Sequence, residues 1–157
     1  MYYEDQPLTA QEALTKYWDN SIPVNPIEIA ESMGVEVYKS NEFDVDGEFL
    51  FYEGRPSIIY RPSGNTRRDR FTIAHELGHF CLRHGPRYRD PRKNFSLSNY
   101  DLFERDANMF AAELLMPEEV VQYAVRVSKM QDVEEMCDYF DVSGAAMRIR
   151  LERLGYL

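Results

Sequence analysis

The stretch "FTIAHELGHFCLRH", Phe71 to His84, constrains this chain more than any other part of it. It holds all three histidines of the sequence, with Glu76 directly after the first. His75 and His79 are four residues apart, so on an α-helix they leave nearly the same side, about 40° from each other. Opposite them fall Ile73, Leu77 and Phe80, while Ala74, Gly78 and Cys81 lie along one flank. A helix apolar on so many sides must run through the middle of a domain. One buried that deeply seldom keeps two imidazoles and a carboxylate unless something binds them.

The spacing states what that something is. Two imidazoles four apart can reach one ion, and neutral imidazole bonds zinc at about 2.0–2.1 Å. Glu76 sits beside the first ligand, where its carboxylate addresses an attacking water rather than the ion. This is the H-E-x-x-H arrangement, in which the glutamate is general base and the zinc polarises a carbonyl.

A catalytic zinc needs a third protein ligand and one open position. His84 follows His75 by nine residues, so a continuing helix would point it to the opposite side. The extended motif with a third histidine would need glycine at 82 and histidine at 85, where this chain has Leu82 and Gly85. His84 is therefore expected near the helix C-terminus, facing the dipole. The next helical pattern, "DLFERDANMFAAELLMP", offers Glu104 and Glu113, again nine apart and on opposite faces. Phe103, Ala107, Ala111, Leu114 and Leu115 gather around Glu104, whereas Arg105, Asp106 and Met109 surround Glu113. A carboxylate on a buried arc needs a cation, which favours Glu104 as the third ligand.

The rest of the chain reads as α+β. Thr9 and Glu12 form a capping box for an opening helix, and Asn25 with Pro26 starts a second that Gly34 ends. "VEVYKS" reads as a strand, and "GEFLFYEGRPSIIYRP" as two more turned at Glu53-Gly54. Thr66 and Asp69 are the expected cap of the histidine helix. "GPRYRDPRKNF" reads as a loop, Ser98 or Asn99 as the start of the next helix, and Pro117 as its end. Helices over 117–128 and 132–140 follow, and a last one is capped by Ser143 and closed by Gly155. The expectation is one domain over 1–157, with a core of about 1–118 and a helical segment over 119–157.

Composition removes several classes of function. With 44% apolar and 29% charged residues the 157-residue chain is globular, and its net charge of −9 argues against a surface built to grip nucleic acid. The acidic start "MYYEDQPLTAQE" is not a signal peptide, and no apolar run approaches the length of a membrane span. Cys81 and Cys137 sit in apolar patterns, as reduced core thiols of a cytoplasmic protein do. From Arg61 to Lys93, nine basic residues face three acidic ones, a local +6 that leaves −15 for the rest. These cations either solvate a loop or serve the site they surround.

The segments "RRDRFTIAHELGH" and "ERDANMFAAELLMP" resemble the signature segments of the ImmA/IrrE metallo-endopeptidases. "NPIEIAESMGVEV" and "DYFDVSGAAMRIRLERLGYL" extend the resemblance across most of the chain. It implies a zincin-like fold, mostly helical with a small mixed sheet. His75, His79 and Glu104 then bind Zn2+, and Glu76 is catalytic. It also implies a protein substrate, a cognate helix-turn-helix repressor that controls a mobile element or a stress response. Tyr60, Tyr88, Tyr100 and the nearby arginines are all available to assist an oxyanion, and by analogy with zincins the second strand of the hairpin is the edge that takes the substrate backbone.

A rival reading comes from "VEEMCDYFDVSGAAMRIRLERLG", which has the outline of a helix-turn-helix with Arg148, Arg150 and Arg153 on its second helix. Glu134, Glu135, Asp138 and Asp141 would repel phosphates, so packing through Met136, Phe140, Met147, Ile149, Leu151 and Leu154 is favoured over direct DNA binding. The alternatives to an enzyme are a DNA- or protein-binding regulator around a structural metal, or a toxin–antitoxin component. A structural zinc is commonly closed by four ligands, and no fourth is evident in this sequence.

Overall fold

The computed structural model describes residues 6–85, 97–130 and 132–157. Helix α1 (Ala10–Tyr17) opens on the expected box: Thr9 Oγ1 accepts from the Glu12 amide, and the Glu12 carboxylate accepts from the Thr9 amide at 2.9 Å. Helix α2 (Pro26–Ser32) starts under the Asn25 side chain. Its C-terminal turn is completed by Gly34 at φ 89°, a left-handed position where an L side chain is strained.

Strand β1 (Glu36–Lys39) leads to a hairpin of β2 (Gly47–Tyr52) and β3 (Arg55–Tyr60). Glu53 and Gly54, at φ 51° and 80°, make the two-residue turn whose twist suits a hairpin. The sheet order is β1-β3-β2, with β1 parallel and β2 antiparallel to β3. Strand β3 is therefore central, with its backbone paired on both sides. This corrects the expectation for the substrate edge: of the hairpin strands, β2 is the one with an open side among the described residues.

Helix α3 (Thr66–Cys81) is capped by Asn65, whose side chain accepts from the Arg68 amide. The expected cap residues have other places: Thr66 is already helical, and Asp69 accepts from the Ser63 amide and hydroxyl. Helix α4 (Leu97–Leu115) follows and ends ahead of Pro117. The expected loop over 86–96 lies outside the described residues, Tyr88 with it, and so do the side chains of Ser98, Asn99 and Tyr100.

Helices α5 (Glu118–Arg126), α6 (Val133–Phe140) and α7 (Gly144–Arg153) complete the chain, with Asp132 capping α6 and Ser143 capping α7. One core joins all of this. Phe49 and Ile58 from the sheet, Leu77 and Phe80 from α3, Leu114 and Leu115 from α4, and Phe140 and Met147 from the C-terminal pair are all buried.

The C-terminal pair is part of that core. Met136, Phe140, Met147 and Leu151 are buried, and Arg150 is buried as well, its Nε donating to the Met116 carbonyl at 3.0 Å. Of the three arginines that suggested a groove reader, one is thus used inside the fold. Ile149 departs from the expected packing stripe, being 49% exposed. Both cysteines are free and buried, and burial pushes the Cys81 thiol up to about 12, so it stays a protonated packing group.

The described part of the basic stretch is tied to other parts of the fold. Arg61 and Arg68 pair with Asp46, Arg67 with Asp138 and Asp141, and Arg70 with Asp141. These cations neither solvate a loop nor line a cleft alone. They tie α3 to the segment before β2 and to the C-terminal helices.

Candidate metal centre

The site forms where α3 crosses α4, and a glycine sets how closely they meet. A Cβ at Gly78 would lie 3.1 Å from the Cβ and Cδ1 of Phe110, so any side chain there would push α4 away. With α4 this near, Glu104 reaches the histidine side of α3. Its Oε1 lies 3.1 Å from His75 Nε2 and its Oε2 2.8 Å from His79 Nε2. The two Nε2 atoms are 3.2 Å apart. The two histidines and Glu104 thus meet with one ligand atom from each within 4.8 Å of the others. Glu113, on the opposite side of α4, borders a separate recess with Asp106 and Met109. The structure brings together the three residues expected and leaves the competing glutamate outside.

Neighbouring groups orient these donors. His75 Nδ1 lies 2.8 Å from Asn108 Oδ1, one turn along α4 from Glu104. An acceptor there takes the Nδ1 proton, so Nε2 turns its lone pair inward. His79 Nδ1 lies 2.9 Å from His84 Nδ1, an arrangement that fixes its ring in the same sense.

This corrects the place expected for His84. The helix stops at Cys81, and Arg83 at φ 63° turns the chain back, which carries His84 under His79 as a buried neighbour. The wheel argument assumed a continuing helix, and one left-handed residue defeats it. No residue type announces that turn, because arginine seldom adopts it.

The chemistry of this donor set suits a cation. Two inward lone pairs and a carboxylate at about 3 Å repel one another unless positive charge sits among them. Two imidazole nitrogens and a carboxylate oxygen are a ligand set of the catalytic zinc kind, with a coordination position left for substrate or water.

Glu76 forms the wall next to the donors. It is 2% exposed, with Oε2 4.0 Å from His75 Nε2, too far to share the ligand cluster and close enough to face it. Gly47, the first residue of β2, allows this approach: a Cβ there would lie 2.6 Å from Thr72 Cγ2 and 3.4 Å from Glu76 Cγ. The resulting cleft of about 310 Å³ is walled by Val45 and Gly47 on one side and by Glu104 and Asn108 on the other, with His75 and Glu76 at its base. The signal for Gly47 was present in the sequence, since a glycine opening a strand marks a close approach, but only the fold shows what approaches.

An α+β fold that carries the H-E-x-x-H motif on a buried helix and brings a carboxylate to it from the next helix defines a zincin-like metallopeptidase. The family model described as the IrrE N-terminal-like domain matches residues 30–152, and the chain belongs to this ImmA/IrrE family of peptidases. It is 32% identical over 115 residues to "Uncharacterized immunity region protein 2" of Bacillus phage phi105, covering 71% of this chain and 72% of that protein. It is 24% identical over 131 residues to "Metallopeptidase ImmA" of Bacillus subtilis (strain 168), covering 83% of this chain and 77% of that protein.

Proposed function

We propose that this chain is a zinc endopeptidase in which His75, His79 and Glu104 hold the ion and Glu76 is the general base. The observation that carries it is the convergence of His75 Nε2, His79 Nε2 and the Glu104 carboxylate, with the buried Glu76 beside them. When bound there, zinc supplies Lewis acidity, polarising a carbonyl and acidifying nearby water. Glu76 accepts a proton from the attacking water as the oxygen bonds to the carbonyl carbon. It then delivers that proton to the amine nitrogen as the C–N bond breaks. Asn108 and His84 hold the imidazoles so that their Nε2 atoms converge beside Glu104, where they would hold the ion. The open side of β2 offers backbone groups to an extended substrate passing Gly47.

The substrate we propose is a helix-turn-helix repressor in the cytoplasm. What supports it is kinship with a protein named for a phage immunity region and with one named metallopeptidase ImmA. Packing of α6 and α7 into the core, with Arg150 consumed internally, favours this reading over direct DNA binding. Glu76→Gln keeps the shape of the side chain and removes the base. Incubated with a candidate helix-turn-helix repressor, this variant is expected to keep its zinc and to cleave about 10²–10⁴-fold more slowly than the wild type. Cleavage at the wild-type rate would eliminate Glu76 as the base. An intact repressor with the zinc-loaded wild type would eliminate that substrate.

A further inference from the structure

We propose that the groove between α4 and α7 is the specificity pocket of this site, and that it takes a bulky apolar side chain of the substrate flanked by acidic residues. The proposal rests on the peptidase reading above and says which segments it accepts.

The groove has a volume of about 530 Å³ and adjoins the cleft that holds His75 and Glu76. Phe71, Glu104 and Asn108 border both, so a chain lying across the donors has its next side chains at the mouth of the groove. A volume of this size lies within the range of sites that enclose a ligand. Its walls are made apolar by Ala112 from α4 and by Ala145, Ala146 and Ile149 from α7. The three alanines leave room that larger residues would fill.

Of this face of α7, Ala146 packs partly against the core, and the anchoring of the helix lies elsewhere. It anchors itself through Met147, Arg150 and Leu151, all buried, while Ile149 remains 49% exposed. A β-branched apolar residue on an outward arc, beside a reactive cleft, suits contact with something outside the chain.

The charge at the rim selects among apolar partners. Arg105 and Arg153 both border the groove, and neither forms an ion pair with another of the described residues. The described arginines on the N-terminal half of α3 are by contrast all matched to aspartates or to backbone carbonyls. In a chain of net charge −9, two cations at the mouth of an apolar groove favour an acidic segment. The occupant is accordingly a large apolar side chain with Asp or Glu close by in sequence.

The test uses the full chain with zinc added, in the Glu76→Gln background, and two twelve-residue peptides with aspartates on both sides of a central Phe or Ala. Affinity is followed by titration, and position by NMR of labelled alanine and isoleucine methyl groups. The Phe peptide is expected to bind about tenfold or more tightly than the Ala peptide, and to shift the Ala145, Ala146 and Ile149 methyls. Ala145→Trp, at an exposed position, should abolish that preference, and Arg105→Glu with Arg153→Glu should weaken both peptides. Equal affinities, or unmoved methyls up to millimolar peptide, would overturn the assignment. Hydrolysis of either peptide by the zinc-loaded wild type, lost in Glu76→Gln, is scored separately, so failure of the groove is distinguished from failure of the peptidase reading.

Discussion

The two halves of α3 use their polar groups in different ways. In the first, Arg67 meets Asp138 at 2.7 Å and Asp141 at 3.0 Å, Arg68 meets Asp46 at 2.6 Å, and Arg70 donates to the carbonyls of Phe140 and Asp141. Each cation has an oxygen partner supplied by the chain itself, mostly in contact with solvent. In the second half a carboxylate, Glu104, is met by two imidazoles, His75 and His79, in a nearly closed environment. The first half stabilises the fold through pairs that are individually weak, each about 0–1 kcal/mol. The second gathers electron-pair donors that become favourable when a metal ion is added. One helix thus serves as tie and as site, and the partners of its polar groups show which half is which.

The sharpest way to break this contrast is to remove the carboxylate that the second half meets. Glu104→Ala should reduce zinc from about one ion per chain to near none by elemental analysis, with loss of peptidase activity, because two imidazoles alone leave the ion readily exchanged. Glu113→Ala should keep the ion, since that residue faces a different recess. Equal retention in both variants would dissolve the distinction between the two glutamates.

A smaller effect is expected one layer out. His84→Ala removes the group 2.9 Å from His79 Nδ1 without touching a proposed ligand. Competition with a chromophoric chelator should show zinc affinity lowered by about 10–100-fold. An unchanged affinity would mean that packing alone orients His79.

How much of this could be read from residues follows from the range of the forces involved. Helix periodicity and caps act over a few positions, so Thr9, Asn25 and Ser143 were legible as caps, and the apolar arc around Glu104 selected it over Glu113. The Asn65 cap was missed because Thr66, one residue on, satisfies the same pattern. His84 was misplaced because its position depends on a single left-handed residue at Arg83. The strand order was not legible: nothing in the hairpin tells that β1 joins β3 rather than β2, since that choice is made by long-range packing. The role of the basic stretch was equally hidden, because Asp138 and Asp141 lie about seventy positions away and only the fold brings them to Arg67 and Arg70.

The smallest effect is expected at Asp46, a partner of the first half. Its carboxylate faces both Arg68 and Arg61, and the hydrogen bond from Arg68 holds its pKa below the ordinary 3.8. The pair is largely exposed, with 58% of the Arg68 and 44% of the Asp46 side chain open to solvent, so Asp46→Asn should cost no more than about 1 kcal/mol by denaturant unfolding. The sign with pH follows from the direction of the shift. A carboxyl that is more acidic folded than unfolded contributes fully above its unfolded value, less as the pH drops below it, and nothing once the pH has fallen through the folded value. The difference between wild type and Asp46→Asn should therefore be flat from neutrality down to about pH 5 and shrink toward pH 3. Added salt should shrink it at every pH, by screening an exposed pair. A cost of several kcal/mol, insensitive to salt, would show that Asp46 acts in the cleft it borders rather than as a tie, and the division between the halves of α3 would have to be redrawn.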